Sequence, residues 1–163
     1  MILINVITGL ILVISFVDGF SGGVVKQFFS FVIFIIAVPL TGISHHLIAS
    51  VLTFLPGEYW SYFIGFFVTL IIFIIMFHFA FYLPRKYARA TFHEGILLGI
   101  AGGLISTFKA IIGIVLLLLV LHAYPVIKGL DTLLMESGTL AWFLQHFRFV
   151  QLLLPQTFRL ISA

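Results

Sequence analysis

The sequence predicts an all-α integral membrane protein: four transmembrane helices plus a C-terminal amphipathic helix lying in the membrane interface. The first observation is composition, because 63% of the 163 residues are hydrophobic and only 8% are charged. Soluble domains carry about 25% charged residues, so this chain cannot cover a water-exposed surface of its size. The other two observations are long uncharged runs and an uneven distribution of basic residues. Together they argue against a soluble enzyme, a nucleic-acid-binding protein and a disordered chain.

The uncharged runs mark the membrane spans. A helix needs about 20 apolar residues to cross a bilayer, which predicts spans at about 1–18, 25–48, 61–83 and 96–122. These spans form a predicted transmembrane domain over residues 1–127. Pro39 lies inside the second span and predicts a kink there, because proline has no backbone N–H.

The basic residues predict the orientation of the bundle. Lys26 lies between spans 1 and 2, and Arg85, Lys86 and Arg89 lie between spans 3 and 4, whereas the loop between spans 2 and 3 has no basic residue. The positive-inside rule then places both basic loops in the cytoplasm. We therefore expect a multi-pass protein of the bacterial inner membrane with both termini in the periplasm. The basic cluster is expected to face lipid phosphates and not nucleic acid.

Residues 128–163 predict a periplasmic tail that lies in the interface. On a helical wheel, six apolar side chains share an arc of about 120°: Leu140, Phe143, Leu144, Phe147, Val150 and Leu154. His146 and Arg148 argue against a fifth span, and the mixture of Trp, Phe and Arg favours an interfacial helix. Pro155 should end that helix.

Small residues follow one face of span 4, namely Gly95, Gly99, Gly102, Gly103, Ser106 and Gly113. Small residues four positions apart let two helix backbones approach closely within lipid. The spacing does not distinguish packing inside one chain from self-association, so both interpretations stay open.

Lys109 interrupts span 4 about 18 Å from its predicted start. Burying an ammonium near the bilayer centre costs about 2.5–3.5 kcal/mol, so its side chain should point into the bundle or into a water-filled cavity. We expect Asn5, at a similar predicted depth, to be its partner, with Thr69 as the alternative. The competing explanation is a snorkelling side chain, or a span that starts later along the chain.

Catalytic and metal-binding motifs are weak. Residues 19–23 match G-x-S-x-G, but a serine nucleophile also needs a base and an oxyanion hole. The simpler interpretation is a glycine turn in which Ser21 caps the second helix. The chain has no cysteine, and its histidines form no H-E-x-x-H motif. We therefore predict a protein that is not an enzyme and has no cofactor or metal.

Two stretches of the chain resemble the colicin V production protein family of bacterial inner-membrane proteins. Residues 19–30, with Gly19 and Gly23, are similar to the segment that opens the second span of that family. Residues 85–121, with Gly99 and Gly103, are similar to its third and fourth span region, and Glu136-Ser137 before an amphipathic stretch also agrees. The resemblance implies a role in peptide-toxin production or export and in envelope maintenance, without catalytic residues.

Two functions remain at this point. The first is a non-enzymatic helical scaffold or assembly factor that associates with itself or with a secretion or envelope protein. The alternative is a small transporter or channel subunit that uses Lys109 within the membrane.

Overall fold

The computed structural model describes residues 2–52, 59–91, 95–126, 138–147, 149–155 and 158. Seven helices lie within these residues: α1 (Ile2–Gly22), α2 (Val24–Val51), α3 (Trp60–Ala80), α4 (Tyr82–Thr91), α5 (Ile96–Ala123), α6 (Gly138–His146) and α7 (Phe149–Leu152). Four of them, α1, α2, α3 and α5, are long and apolar enough to cross a membrane. The predicted all-α membrane protein with four spans is therefore confirmed.

A single glycine separates the first two helices. Gly23 has φ 73°, a left-handed backbone conformation that a residue with a Cβ atom rarely adopts. The chain reverses there, and α2 then continues through Pro39 to Val51. Lys26 lies beside this turn, and α4, with Arg85 and Lys86, contacts the same end of α2. We call this end of the bundle the basic end.

The first helix packs against the last spanning helix, α5. A Cβ atom added at Gly103 would lie 2.7 Å from the Phe16 ring, and one added at Gly99 would lie 3.0 Å from the Phe20 ring. The later glycine of α5 meets the earlier aromatic residue of α1, so the two helices run antiparallel. They are in close contact because α5 has glycines where α1 has large aromatic side chains. Only Thr8 and Gly19 of α1 are buried, so the other faces of this helix point outward.

The main core lies between α2, α3 and α5. Val38 of α2, Phe66 of α3 and Val115 of α5 belong to it, and each is fully buried. A Cβ atom added at Gly65 of α3 would lie 3.1 Å from the Cβ of Ala49, so α2 and α3 also approach closely. Small residues thus set two helix spacings, one between α2 and α3 and the other between α1 and α5.

The C-terminal tail differs from the predicted interfacial helix. Its helical part is broken at Phe147 into α6 and α7, and the rings of Phe147 and Phe149 lie 5.6 and 6.3 Å from the ring of Phe108. Phe108 precedes the end of α5 at Ala123 by 15 residues, or about 22 Å. The tail therefore turns back along α5 and packs against it, as two short helices and not as one.

The physical reason is that the apolar arc of the tail packs into the helical core. Leu140, Phe143 and Val150 are 3%, 5% and 0% exposed and join the core cluster. The last helix of the tail, α7, ends at Leu152, three residues before Pro155, which agrees with the predicted end. Pro155 itself lies against Gly42 of α2. Arg148, which argued against membrane insertion, lies outside the described residues.

A short helix replaces part of the predicted loop after the third span. The span ends at Ala80, and α4 follows after Phe81. The N–H of Phe81 donates to the carbonyl of Phe77 at 2.8 Å, and the N–H of Arg85 donates to the carbonyl of Phe81 at 3.1 Å. These two bonds join the helices at Phe81, and Pro84, which has no backbone N–H, interrupts the series after it.

Candidate functional site at Lys109

Lys109 takes part in a chain of polar side chains that joins three helices. Its ammonium donates to the hydroxyl of Ser30 at 3.0 Å and to the amide oxygen of Gln27 at 3.4 Å. The amide nitrogen of Gln27 donates in turn to the carboxylate of Asp18 at 3.2 Å. The chain Asp18–Gln27–Lys109–Ser30, which we call the polar chain, thus links α1, α2 and α5.

Burial makes these bonds important for the bundle. Gln27 is only 1% exposed, and Lys109 and Ser30 are partly buried, whereas Asp18 is exposed at the end of α1. The Asp18 carboxylate attracts the Lys109 ammonium and the Lys26 ammonium repels it. A buried ammonium needs both hydrogen-bond acceptors and a counter-charge, and the polar chain supplies both.

Lys109 lies about 10 Å from the level of the α1–α2 turn at the basic end. A Cβ atom added at Gly102 would lie 2.6 Å from the carbonyl oxygen of Gly19 and 2.9 Å from the carbonyl carbon of Gly23, so Gly102 is level with the α1–α2 turn. Lys109 follows seven residues later, at about 10 Å. The count from the start of span 4 gave about 18 Å because α5 begins about 9 Å before the level of this turn.

The two acceptors of the Lys109 ammonium, Gln27 and Ser30, differ from the predicted partner, Asn5. In the antiparallel register of α1 and α5, residue 10 or 11 is level with Lys109, and Asn5 lies about 8 Å farther from the basic end. The ammonium reaches the other way, toward Gln27. The alternative partner, Thr69, donates its hydroxyl to the carbonyl of Gly65 at 2.6 Å.

The small-residue face of α5 divides into two parts. Added Cβ atoms at Gly99, Gly102 and Gly103 would collide with α1 or the α1–α2 turn, and Ser106 is buried against Gly19 of the same chain. Gly95 and Gly113 have no atom within 4 Å of an added Cβ. The centre of the face is therefore used for packing inside one chain.

Ser21 is not arranged as a catalytic nucleophile or as a helix cap. Its hydroxyl donates to the carbonyl of Val17 at 2.8 Å within the last turn of α1. The predicted cap is wrong, because α1 extends to Gly22 and the N-cap of α2 is Gly23, which has no side chain to contribute. Gly23 forms the glycine turn, whereas Gly19 lies inside α1 and is in close contact with Gly102.

A second polar cluster lies at the opposite end of the bundle. The Nδ1 of His45 donates to the carbonyl of Gly42 at 2.9 Å, since a carbonyl can only accept, and the hydroxyl of Tyr124 lies 2.9 Å from Nε2. Burial, and to a smaller extent the neighbouring Tyr62, raise the pKa of the Tyr124 phenol. Thr41, one turn before His45, is fully buried, and its hydroxyl has no partner within the described ranges.

The basic cluster lies on α4. Arg85 donates from a guanidinium nitrogen to Nε2 of His78 at 2.8 Å, and Lys86 is exposed. The side chain of Arg89 lies outside what the structure describes. No group of three or more His, Cys, Asp or Glu side chains that could hold a metal occurs in the described part of the chain.

Comparison with models of protein families identifies the family of this chain. The model of the family "Colicin V production protein" matches residues 4–148. The chain belongs to the colicin V production protein family. The match includes all four spanning helices and the polar chain, so these features lie inside the family domain. Comparisons with curated proteins and with solved structures give no match.

Sequence reasoning missed Gln27 and Ser30, the two acceptors for Lys109 in this colicin V family protein. The available signal was a polar pair three residues apart at the start of a strongly apolar span, which places both side chains on one face of α2. The missing information was which face of α2 meets α5. The His45–Tyr124 contact had no such signal, because its members lie 79 residues apart.

Proposed function

We propose that this colicin V family protein is a non-enzymatic scaffold or assembly factor of the bacterial inner membrane. In this role it supports toxin production or export and envelope maintenance. Family membership supports the toxin-related role. The observation that carries the scaffold role is the exposure of α1: Leu10, Val13 and Val17 are 55%, 64% and 57% exposed, whereas one face of the helix is tied to α5. A helix held by one main neighbour offers a lateral surface to a second membrane protein.

Site-specific photo-cross-linking in native membranes tests this role. A photoreactive residue replaces Leu10 or Val13 on α1, and the matched controls carry it at Ile72 or Met76 on the exposed face of α3, at 49% exposure each. We expect a discrete secretion or envelope protein, or a second copy, to be attached from α1 only. Attachment of lipid alone from both helices would contradict the scaffold role.

The second candidate is a small transporter or channel subunit that uses Lys109. It is favoured by the polar chain, which runs from the exposed Asp18 to an ammonium at membrane depth. Charged residues inside membranes commonly mark ion or solute pathways. This candidate predicts flux of an ion or solute in proteoliposomes, and Lys109→Leu should abolish it while the variant still inserts. A scaffold predicts no flux for either protein.

The clustering of basic residues at one end of the bundle supports the proposed location. Lys26, Arg85 and Lys86 lie at the basic end, and the positive-inside rule places such an end in the cytoplasm. With four spans, both termini then lie in the periplasm. The lipid bilayer is the surrounding partner in either function.

A further inference from the structure

One face of α1 is apolar and exposed along most of the helix. Leu3, Val6, Leu10, Val13 and Val17 follow one another at spacings of three, four, three and four residues. This heptad spacing keeps side chains on one side of a helix. The exposed fractions of these five side chains lie between 53% and 71%, and we call this face the α1 seam.

The α1 seam lies on the side of the helix that faces away from α5. Thr8 and Gly19 are the buried residues of α1, and Gly19 is in close contact with Gly102 of α5. At about 100° per residue, Thr8 and Gly19 lie roughly 160° and 180° around the helix from Leu10. Another helix can therefore pack on the seam without displacing α5.

The exposed faces of α2 and α3 are shorter than the α1 seam. All five seam positions, spread over 14 residues of α1, are more than half exposed. On α2, the apolar series that stays more than half exposed runs only from Ile43 to Val51. On α3 it runs only from Ile71 to Phe79. The seam therefore offers a neighbouring helix a longer surface than either of these faces does.

The order of residues along the seam favours a bundle of more than two helices. In heptad notation, Leu3 and Leu10 occupy position a, whereas Val6 and Val13 occupy position d. Leucine at a with a β-branched residue at d shifts parallel coiled coils from dimers toward trimers and tetramers. The seam thus has the pattern expected for association with further copies of the same helix.

The residues beside the seam agree with such a bundle. Ile7 and Ile14 lie at position e and are 49% and 59% exposed. Apolar residues at e in addition to a and d are typical of a helix that faces the core of a bundle. Gly9 lies on the other side of the seam, and a Cβ atom added there would meet no described atom of its own chain within 4 Å. A small residue beside an interface lets a neighbouring helix approach closely.

The membrane fixes the relative direction of the copies. All copies insert with the same orientation, so the α1 helices of neighbouring copies run parallel, as the heptad pattern requires. The polar residues Asn5, Thr8 and Ser15 lie at least about 140° around the helix from Leu10. The seam therefore brings only apolar side chains together, and a bundle built on it has a packed core and no aqueous pore.

We propose that the α1 seam joins copies of this chain into a closed oligomer. Three or four α1 helices pack in parallel around a common axis normal to the membrane. The proposal rests on the scaffold function and identifies the partner at α1 as further copies of the same chain. In each copy α5 covers the outer side of this central bundle.

Counting the copies tests the stoichiometry. The chain has no cysteine, so a single dye can be attached to Tyr59→Cys, where the native side chain is 42% exposed. The labelled full chain is extracted from its membrane directly into lipid nanodiscs, and photobleaching steps are counted. We expect a distribution with its maximum at three or four steps. A maximum at one or two steps would overturn the proposal.

Cysteine cross-linking locates the interface. Leu10→Cys and Val13→Cys place a thiol on the seam, whereas Ile11→Cys and Leu47→Cys place it at exposed apolar positions outside the seam. A short bismaleimide in native membranes should join two copies through the seam cysteines and leave the controls monomeric. Equal cross-linking at all four positions, or none at any, would overturn the assigned seam.

This outcome is separate from that of the scaffold function itself. If photo-cross-linking from Leu10 attaches a different protein while Leu10→Cys stays monomeric, the scaffold function holds and the proposed oligomer is wrong. If the photoreactive residue attaches lipid alone and the cysteines stay monomeric, both are wrong.

Gly9→Leu tests the seam without disturbing the bundle of one chain. The added side chain starts in open space, and leucine is a better helix former than glycine, so the melting temperature should not fall. Because the larger side chain holds neighbouring α1 helices apart, the oligomer fraction should fall at least about five-fold. The matched control, Ile11→Leu, lies outside the seam and should change this fraction by less than about two-fold. An unchanged oligomer fraction in Gly9→Leu would overturn the close approach of helices at the seam.

Discussion

At the scale of single residues, the contact between Lys109 and Gln27 has the clearest consequences for stability. Gln27 is buried between a carboxylate and an ammonium, so its amide donates to the carboxylate and accepts from the ammonium. An amide suits this position because it has both an acceptor oxygen and two N–H donors. A purely apolar residue at either position leaves the remaining polar group buried without its partner.

Replacing Lys109 by Met should lower the free energy of unfolding by about 1–3 kcal/mol, because Gln27 and Ser30 lose their donor inside the bundle. Thermal or denaturant unfolding in detergent measures the effect. A double-mutant cycle with Gln27→Leu should give a coupling of about 1 kcal/mol, since the two changes remove the same interaction. Strictly additive effects would contradict the contact, and Lys26→Met is the control for a cation outside the polar chain.

Because the phenol of Tyr124 is buried, we expect the stability of the protein to depend on pH. Burial raises the pKa of this phenol in the folded state above its unfolded value of about 10. As pH rises, the unfolded chain therefore loses the proton first, and stability falls above about pH 10. The free energy of unfolding measured from about pH 8 to 11 should decline more steeply for the wild type than for Tyr124→Phe. Parallel curves would show that this phenol does not contribute.

At the scale of elements, the contact of α1 with α5 depends on the absence of Cβ atoms. An alanine at Gly102 would place its Cβ 2.6 Å from the backbone oxygen of Gly19. Backbone atoms in two packed helices cannot move aside cheaply, so the helices must separate. At Gly113, farther along α5, the same substitution meets open space.

Gly102→Ala should therefore destabilise the protein by about 1–3 kcal/mol, whereas Gly113→Ala should be neutral or stabilising by up to about 1 kcal/mol. Both glycines lie in α5, and only Gly102 has neighbouring atoms within 4 Å of the added Cβ. Unfolding midpoints of the two variants in the same detergent provide the comparison. Equal changes would contradict the close packing of α1 on Gly102.

The tail is the second element with a distinctive prediction. The chain has no cysteine, so single cysteines can be introduced at Phe147 and, as a control, at Tyr59 beside the start of α3. A membrane-impermeant maleimide should label Tyr59→Cys and leave Phe147→Cys unlabelled, because Phe147 lies against Phe108. An interfacial tail predicts labelling at both positions, and that result would contradict the packing of Phe147 against Phe108.

At the scale of the whole molecule, the basic end defines a topology that can be measured. If Lys26 and Arg85 lie in the cytoplasm, a phosphatase reporter fused after Ala163 should be active, since it requires export. A fluorescent protein that matures only in the cytoplasm should stay dark at the same position. The opposite pair of results would reverse the orientation and place the tail on the cytoplasmic side.

The sequence predicted the spans well because a long uncharged run has few structural alternatives. The helices α2 and α5 begin within one residue of their predicted starts at 25 and 96. Counting along one helix gave the distance of Lys109 from the start of α5, but it could not reveal that α5 begins about 9 Å before the level of the α1–α2 turn. That offset depends on which glycines of α5 meet α1.

The tail and the polar partners were harder to predict for a common reason. The arc that contains Leu140 and Phe143 is equally suited to lipid and to a protein groove, and only the groove formed by α2, α3 and α5 decides between them. Gln27 likewise looked like part of an apolar span until its neighbours were known. Local pattern therefore identified the apolar side chains but not the surfaces that cover them.

The pairing of α1 with α5 also has a consequence for the order of events during synthesis. The first helix is complete at Gly22, but the helix that covers its glycine contact ends at Ala123, about 100 residues later. At a synthesis rate of about 5–20 residues per second, α1 waits roughly 5–20 s in the membrane before its partner is complete. During that interval the surface around Gly19 is not covered by α5, so the contact of α1 with α5 can form only after the other spanning helices have been made.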